Sequence, residues 1–329
     1  MTARAVKQHW IGFDLGGTKM LGAVLDARFR VVAAARHKSK GAAGARKGID
    51  RIVATVGEVL EQAALSRRAV AGIGIGVPGF VDLERGVVLQ APNLGWRDVP
   101  LRKALEKRFG VPVVVANDVD AGTFGEYQFG AGQRARCVVG VFPGTGIGGG
   151  CVYEGRVLRG RAVSCMEIGH IPVQPGGALC GCGRRGCLET VASRLAIAAE
   201  AAQAAYRGEA PYLLAHAGTD LSLIRSGVIH AAIKGGDKVV ERIVRRAARH
   251  IGVALAGVVD LLAPDVIVLG GGLAEEMPSL FVQEVESTLR KGVVDAFHDT
   301  FRVVPAQLGD YATVMGVAAL AAQARAGTA

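Results

Sequence analysis

His170, Cys180, Cys182 and Cys187 follow one another as His-x9-Cys-x-Cys-x4-Cys. Three thiolates and an imidazole are donors that a tetrahedral zinc ion prefers, and four protein ligands leave no position for a water, so the implied metal is structural. Gly176, Gly177, Gly181, Gly183 and Gly186 let so short a chain wrap around an ion. The competing reading is that close cysteines are small buried hydrophobes, or one disulfide with a thiol left over. Glu167, in Glu-Ile-Gly-His, and Glu189, in Cys-Leu-Glu, flank the cluster. A zinc-pinned loop would hold these two carboxylates in place.

Asp14-Leu-Gly-Gly-Thr-Lys19 sets a carboxylate at a strand end, followed by Gly16 and Gly17, whose amides can face a phosphate with no Cβ in the way, then Thr18 and Lys19. Gly144, Thr145 and Gly146 make a second such turn. Residues 144–149 have the G-x-G-x-x-G spacing of a dinucleotide fingerprint, but Gly150-Cys-Val-Tyr153 reads as a strand where that fingerprint needs a helix, so the Rossmann reading is rejected. Two Gly-Thr hairpins suit the two ends of a polyphosphate, such as that of a nucleoside triphosphate. Gly270, Gly271 and Gly272 follow an apolar run and would let a base or ribose approach the backbone; a plain glycine-rich turn is the equally common alternative. Asn117-Asp118 ends another such run, where a carboxylate would sit at the carboxyl edge of a sheet, though an Asn-Asp pair also forms simple turns. Phosphoryl transfer needs a proton acceptor for the attacking hydroxyl and a metal beside the phosphates. Asp118 is the candidate base and Asp14 the candidate metal partner.

Several elements must position these groups. Residues 10–14, 20–25 and 30–34 predict a β-meander, and Ile49, Ile52, Val53, Val56, Val59, Leu60 and Ala63 recur at helical spacing. Residues 72–77, 113–116 and 266–269 read as buried strands and 239–251 as a long helix, so strands and helices alternate in an α/β chain. Strand, Gly-Thr turn and strand occur twice, near 10–25 and 137–153. Residues 207–237 are the least periodic and predict short helices with loops.

The chain has 329 residues, half of them hydrophobic, which leaves room for two domains of roughly 150 residues. Neither an export signal nor a membrane span is evident. Cys137, Cys151 and Cys165 lie scattered, which fits a reducing cytoplasm better than a disulfide framework. The net charge of +10 is dispersed and few aromatics interleave with it, which argues against a nucleic-acid partner.

Asp14-Leu-Gly-Gly-Thr-Lys19, Gly76-Val-Pro-Gly79 with Val81-Asp82, Ala91-Pro-Asn-Leu94, Asn117-Asp118, Gly144-Thr-Gly146, Glu167-Ile-Gly-His170 and the cysteine loop occur in order over about residues 10–322. In this the chain resembles the ROK family of sugar kinases and repressors. The resemblance implies an actin-like ATPase fold, two ribonuclease-H-like α/β domains with a cleft between them. It implies residues 1–118 as one domain, joined by a carboxy-terminal helix at 313–329, and 119–312 as the other, with the zinc loop at 170–187. It further implies Asp118 as catalytic base and Asn117, Asp118, Glu167, His170 and Glu189 as contacts to a hexose. Asp14, Gly16, Gly17, Thr18, Lys19, Gly144, Thr145 and Gly146 would serve Mg2+ and ATP, with Gly270, Gly271 and Gly272 by the adenosine.

The expected reaction is phosphorylation of glucose, with fructose, mannose and N-acetylhexosamines open as acceptors and polyphosphate open as donor. A sugar-responsive repressor is the alternative from another class; that branch carries an added helix-turn-helix, and about nine residues precede the first strand here. A non-catalytic sugar-binding protein is a third reading. A homodimer is expected. Two positions depart from the family's usual small residues: Ser164-Cys165-Met166 before Glu167, and Tyr311-Ala-Thr313 after Gly309-Asp310.

Overall fold

The computed structural model describes residues 9–39 and 44–327. The segment before residue 9, read above as carrying no export signal, lies outside them. β1 (His9–Leu15), β2 (Lys19–Leu25) and β3 (Val31–Lys38) form the expected antiparallel meander, with Asp14 opposite Leu21 across the first turn. α1 (Ala45–Gln62) follows, and β4 (Val70–Val77) returns parallel to β1. β5 (Phe80–Asp82), β6 (Val87–Ala91) and β7 (Trp96–Val99) make a small separate sheet. α2 (Leu101–Phe109) leads to β8 (Val113–Asn117), which lies parallel to β4 and runs into α3 (Asp118–Phe129).

The same plan then recurs. β9 (Cys137–Pro143), β10 (Ile147–Tyr153) and β11 (Arg156–Val157) precede α4 (Glu189–Ala192), α5 (Arg194–Tyr206), α6 (Pro211–Ala217), α7 (Ser226–Lys234) and α8 (Lys238–Leu262). β12 (Val266–Leu269), α9 (Gly271–Glu276), α10 (Pro278–Gly292), β13 (Arg302–Pro305) and α11 (Ala312–Ala326) complete the chain. The two five-stranded sheets have orders β3-β2-β1-β4-β8 and β11-β10-β9-β12-β13, one pattern used twice. Helix α9 starts inside Gly270-Gly271-Gly272, so the run opens a helix and is not the plain glycine-rich turn of the alternative reading.

The chain divides into two units. One comprises residues up to Gln133, Gly150–Cys165 and Asp310 onward; the other comprises Arg134–Gly149 and Met166–Gly309. In the first, Ile11 and Phe13 of β1 pack with Ile52, Val56 and Val59 of α1 on one face of the sheet. Burial of each such side chain is worth about 1.5–3 kcal/mol. On the opposite face Leu21, Ala23 and Leu25 meet Val314 and Ala318 of α11.

This packing corrects the expected boundary at 118/119, because α3 belongs with the first unit. Its Gly125 lies so near α11 that a Cβ there would come within 2.2 Å of Ala312 O, and a Cβ on Gly316 would come within 1.8 Å of Ala121 O. Two glycines thus let the helix backbones touch, and α3 cannot separate from the carboxy-terminal helix without losing that contact.

Candidate functional site

Asp118 stands at the carboxyl end of β8 and the start of α3. Asn117 is the helix N-cap: its Oδ1 accepts from the N–H groups of Val119 (2.8 Å) and Asp120 (3.1 Å), and its Nδ2 donates to Gly79 O at 3.1 Å. Such a cap is typically worth about 1 kcal/mol. Asn117 is therefore chiefly a positioning residue, with one amide proton left for a ligand. Asp118 Oδ1 accepts from Val119 N at 3.0 Å, and the Thr313 hydroxyl donates to the Asp118 carbonyl at 3.0 Å. Thr313, one of the unusual residues near the carboxyl terminus, thus ties α11 to the candidate base.

Asp14 faces the same place from β1. Burial pushes its carboxyl up to about 8, the charges of Asp118 and Asp310 add to that, and Arg36 opposes it. Arg36 Nη2 also pairs with Asp310 Oδ2 at 2.5 Å. Asp14, Asp118 and Asp310 thus feel one another's charge, and the Arg36 guanidinium offsets part of it. Gly17 of the adjoining turn lies against Asn93, from the Ala91-Pro-Asn-Leu94 motif.

In the second unit the Gly144–Gly146 turn closes on itself through Gly144 N to Gly146 O at 2.8 Å. Glu189 Oε2 accepts from Ile147 N at 3.1 Å, which leaves the Thr145 and Gly146 amides for an anion. Gly271, at φ +76°, lies against Pro143 O, so the end of β9 and the Gly270–Gly272 segment are neighbours.

The candidate metal ligands also converge. The donor atoms of His170, Cys180, Cys182 and Cys187 lie within 4.8 Å of one another, with Cys182 Sγ to Cys187 Sγ at 3.7 Å and Cys180 Sγ to His170 Nδ1 at 3.6 Å. Tetrahedral zinc bonds of about 2.3 Å to sulfur and about 2.0–2.1 Å to nitrogen imply edges of about 3.8 and about 3.6 Å. The four residues therefore fit zinc. Gly186 at φ +78° makes the tight loop feasible, since a Cβ there would strike Gln174 O. The Arg184 N–H groups pull the Cys182 thiol down to about 6, whereas burial pushes Cys180 up to about 12 and raises Cys187. A dication would favour the thiolate at all three.

His170 Nε2 lies 3.9 Å from Glu167 Oε2, and Glu167 is held above the ordinary carboxylate range by burial, with His170 opposing and Glu189 adding to the shift. Glu189 Oε1 is 3.8 Å from Cys180 Sγ. One carboxylate thus links the cysteine cluster to the Gly144–Gly146 turn. Met166, just before Glu167, sits at φ +60°, an unusual backbone state for a non-glycine residue.

Residues 10–324 match the model of the ROK family. The chain belongs to the ROK family. It is 36% identical over 314 residues to the glucokinase of Streptomyces coelicolor, spanning 94% of this chain and 96% of that one. The crystal structure of a ROK family glucokinase from Streptomyces griseus in complex with glucose and AMPPNP superposes with a TM-score of 0.84 at 36% identity, covering 96% of this chain and 99% of that one. The Escherichia coli DNA-binding transcriptional repressor Mlc is 32% identical over 271 residues, or 82% of this chain and 65% of that protein. The fold is the two-domain, actin-like ATPase fold of ROK glucokinases.

Within this ROK chain, the sequence pattern pointed to Asp14, Asp118 and the four His and Cys donors, but not to Arg36 or Asp310. Arginines on a basic chain carry no spacing signal. Only Asp310, next to Gly309 before the last helix, had a local cue. Among the described residues, no helix is long and apolar enough to cross a membrane.

Proposed function

We propose that the protein transfers the terminal phosphoryl group of ATP to a hexose, with glucose as the acceptor and Asp118 as the general base. The observation that carries the reading is Asp118 held by Val119 N–H at the amino end of α3, beside the Asp14 turn. Family membership and the similarity to the Streptomyces coelicolor glucokinase support the substrate. Asp118 takes the proton of the attacking hydroxyl, an effect typically worth about 10²–10⁴-fold in rate.

Gly16, Gly17, Thr18, Lys19, Gly144, Thr145 and Gly146 contact the phosphates in this reading, and Gly270, Gly271 and Gly272 flank the nucleoside. Asn117, Glu167, His170 and Glu189 hold sugar hydroxyls; Glu189 does so with the oxygen not bonded to Ile147. Asp14 would hold magnesium, which when bound neutralises phosphate charge. His170, Cys180, Cys182 and Cys187 would hold a structural zinc. The enzyme acts in the cytoplasm as a homodimer.

A coupled assay of glucose, fructose, mannose and N-acetylglucosamine, each with ATP and with inorganic polyphosphate, tests the reading. Glucose with ATP is expected to give the highest kcat/KM. No turnover of any hexose with either donor would overturn it, and turnover with polyphosphate alone would reassign the donor.

A further inference from the structure

Arg194 and Arg225 stand beside the Gly144–Gly146 turn. Arg194 opens α5: its N–H donates to Gly144 O at 2.8 Å, its Nη2 to Thr145 Oγ1 at 3.1 Å, and its Nη1 reaches Ile224 O at 3.5 Å. Arg225, the next residue after Ile224, donates from Nε to Ser222 O at 3.1 Å and precedes α7. Burial first, and the charge of Arg225 second, hold the Arg194 guanidinium below its ordinary range.

Several arginines of this unit sit on carboxylates, as Arg245 does on Glu241 and Glu284, and Arg207 on Glu209, whereas Arg184 and Arg185 donate to backbone carbonyls. Among the described residues, Arg194 and Arg225 have no such partner. Acids on adjoining elements are engaged elsewhere: Glu189 accepts from Ile147 N, Glu275 from Gly271 N, and Glu276 lies 3.5 Å from His230 Nδ1. Two like charges, one of them part-buried, beside a turn with open amides are unfavourable until an anion joins them. Ser226, which follows Arg225, neighbours the other glycine segment: its Oγ would lie 3.1 Å from a Cβ on Gly272. The arginine pair therefore lies between the Gly270–Gly272 segment and the Gly144–Gly146 turn.

We infer that Arg194 and Arg225 bind the non-terminal phosphates of the nucleotide donor, Arg194 doing so while bracing Thr145. The inference rests on the reading of these two glycine segments as a nucleotide site. Arg194→Gln removes the charge and shortens the side chain, whereas Arg194→Lys keeps the charge and loses the planar fork, so the two together separate a charge role from a brace. Calorimetry with ADP at low and high salt, on wild type, Arg194→Gln and Arg225→Gln, supplies the test. Each variant is expected to bind ADP about tenfold more weakly at low salt, with a shallower loss of affinity as salt rises, because charge-assisted contacts are the strong and screened ones. Arg194→Lys is expected to recover part of the loss. ADP affinity within about twofold of wild type in both Gln variants, an unchanged salt dependence, or a wild type that does not bind ADP, would overturn the inference. A wild type that binds ADP through these arginines yet phosphorylates no hexose would refute the kinase reading and leave the arginine assignment standing.

Discussion

Asp118 spends one carboxylate oxygen on Val119 N–H, and an asparagine there would keep that bond while losing the proton acceptor. Asp118→Asn is therefore expected to fold and bind glucose normally but to lose about 10²–10⁴-fold in kcat. Steady-state kinetics with a glucose titration checks this, and near wild-type turnover would remove Asp118 from the base role. Asp14 makes a separate prediction through pH. Its carboxyl moves from 3.8 to about 8 in the fold, so between those values the folded chain holds a proton that the unfolded chain has released. Stability linked to this group is full below the unfolded value and falls as pH rises through the window. Melting curves should show Asp14→Asn flattening that decline, and magnesium raising the wild-type midpoint more at about pH 8 than at about pH 5.5. A magnesium effect independent of pH would exclude Asp14 as the group that meets the cation. Asp14 was legible because it opens a glycine turn, whereas its raised pKa comes from burial first, then from the charges of Asp118 and Asp310, residues far along the chain that no local spacing reveals.

Elements were legible where their composition is one-sided. β12 is a β-branched run and β4 mixes β-branched residues with glycine, both buried along their whole length and close to where the pattern put them, and α8 repeats its apolar residues at helical spacing but runs on past the expected 251 to Leu262. α11 was expected only as a carboxy-terminal helix, because alanine, glycine and valine occupy every side of it and leave no amphipathic stripe. That same composition lets it lie flush on the sheet and on α3. β5, β6 and β7 escaped notice because each is short and their pairing is set by turns. The cysteine loop was the most legible segment, since metal donors must fall at restricted spacings. Its link to the Gly144–Gly146 turn through Glu189 was not, because that hydrogen bond spans 42 residues. Cys182→Ser is accordingly expected to lower bound zinc from about one per chain to near none, and to weaken both glucose and ADP binding. Elemental analysis with calorimetry on the variant measures this. Full zinc content would remove Cys182 from the ligand set, and ADP binding untouched by zinc loss would deny the Glu189 link.

At the scale of the whole molecule, two sheets of one strand order explain why a Gly-Thr hairpin occurs twice: each lies between the first two strands of its sheet. The repeat was visible in sequence because the hairpins need glycine, but the unit boundaries were not, since α3 is assigned by helix packing and not by any linker. The two units also differ at their surfaces. Nine of the thirteen large apolar side chains that are exposed among the described residues fall in the second unit, including Leu195, Tyr206 and Leu214 on α5 and α6. Tyr206 is 84% exposed and lines a cavity of about 520 Å³ with Ala202, Gln203, Arg207 and Thr219. Single exposed apolar residues are ordinary, but Tyr206 beside this hollow is placed to meet a second copy of the chain, and two-fold pairs are the commonest assemblies. Light scattering is therefore expected to return twice the chain mass of 34.1 kDa, and Tyr206→Glu to shift the population toward monomer. A monomer mass across the working concentration range would exclude the homodimer, and a dimer indifferent to Tyr206→Glu would place its interface elsewhere. The glycine turns and Asp118 lie outside that patch, so glucose phosphorylation measured on the same variant separates the effect of assembly from damage to the site.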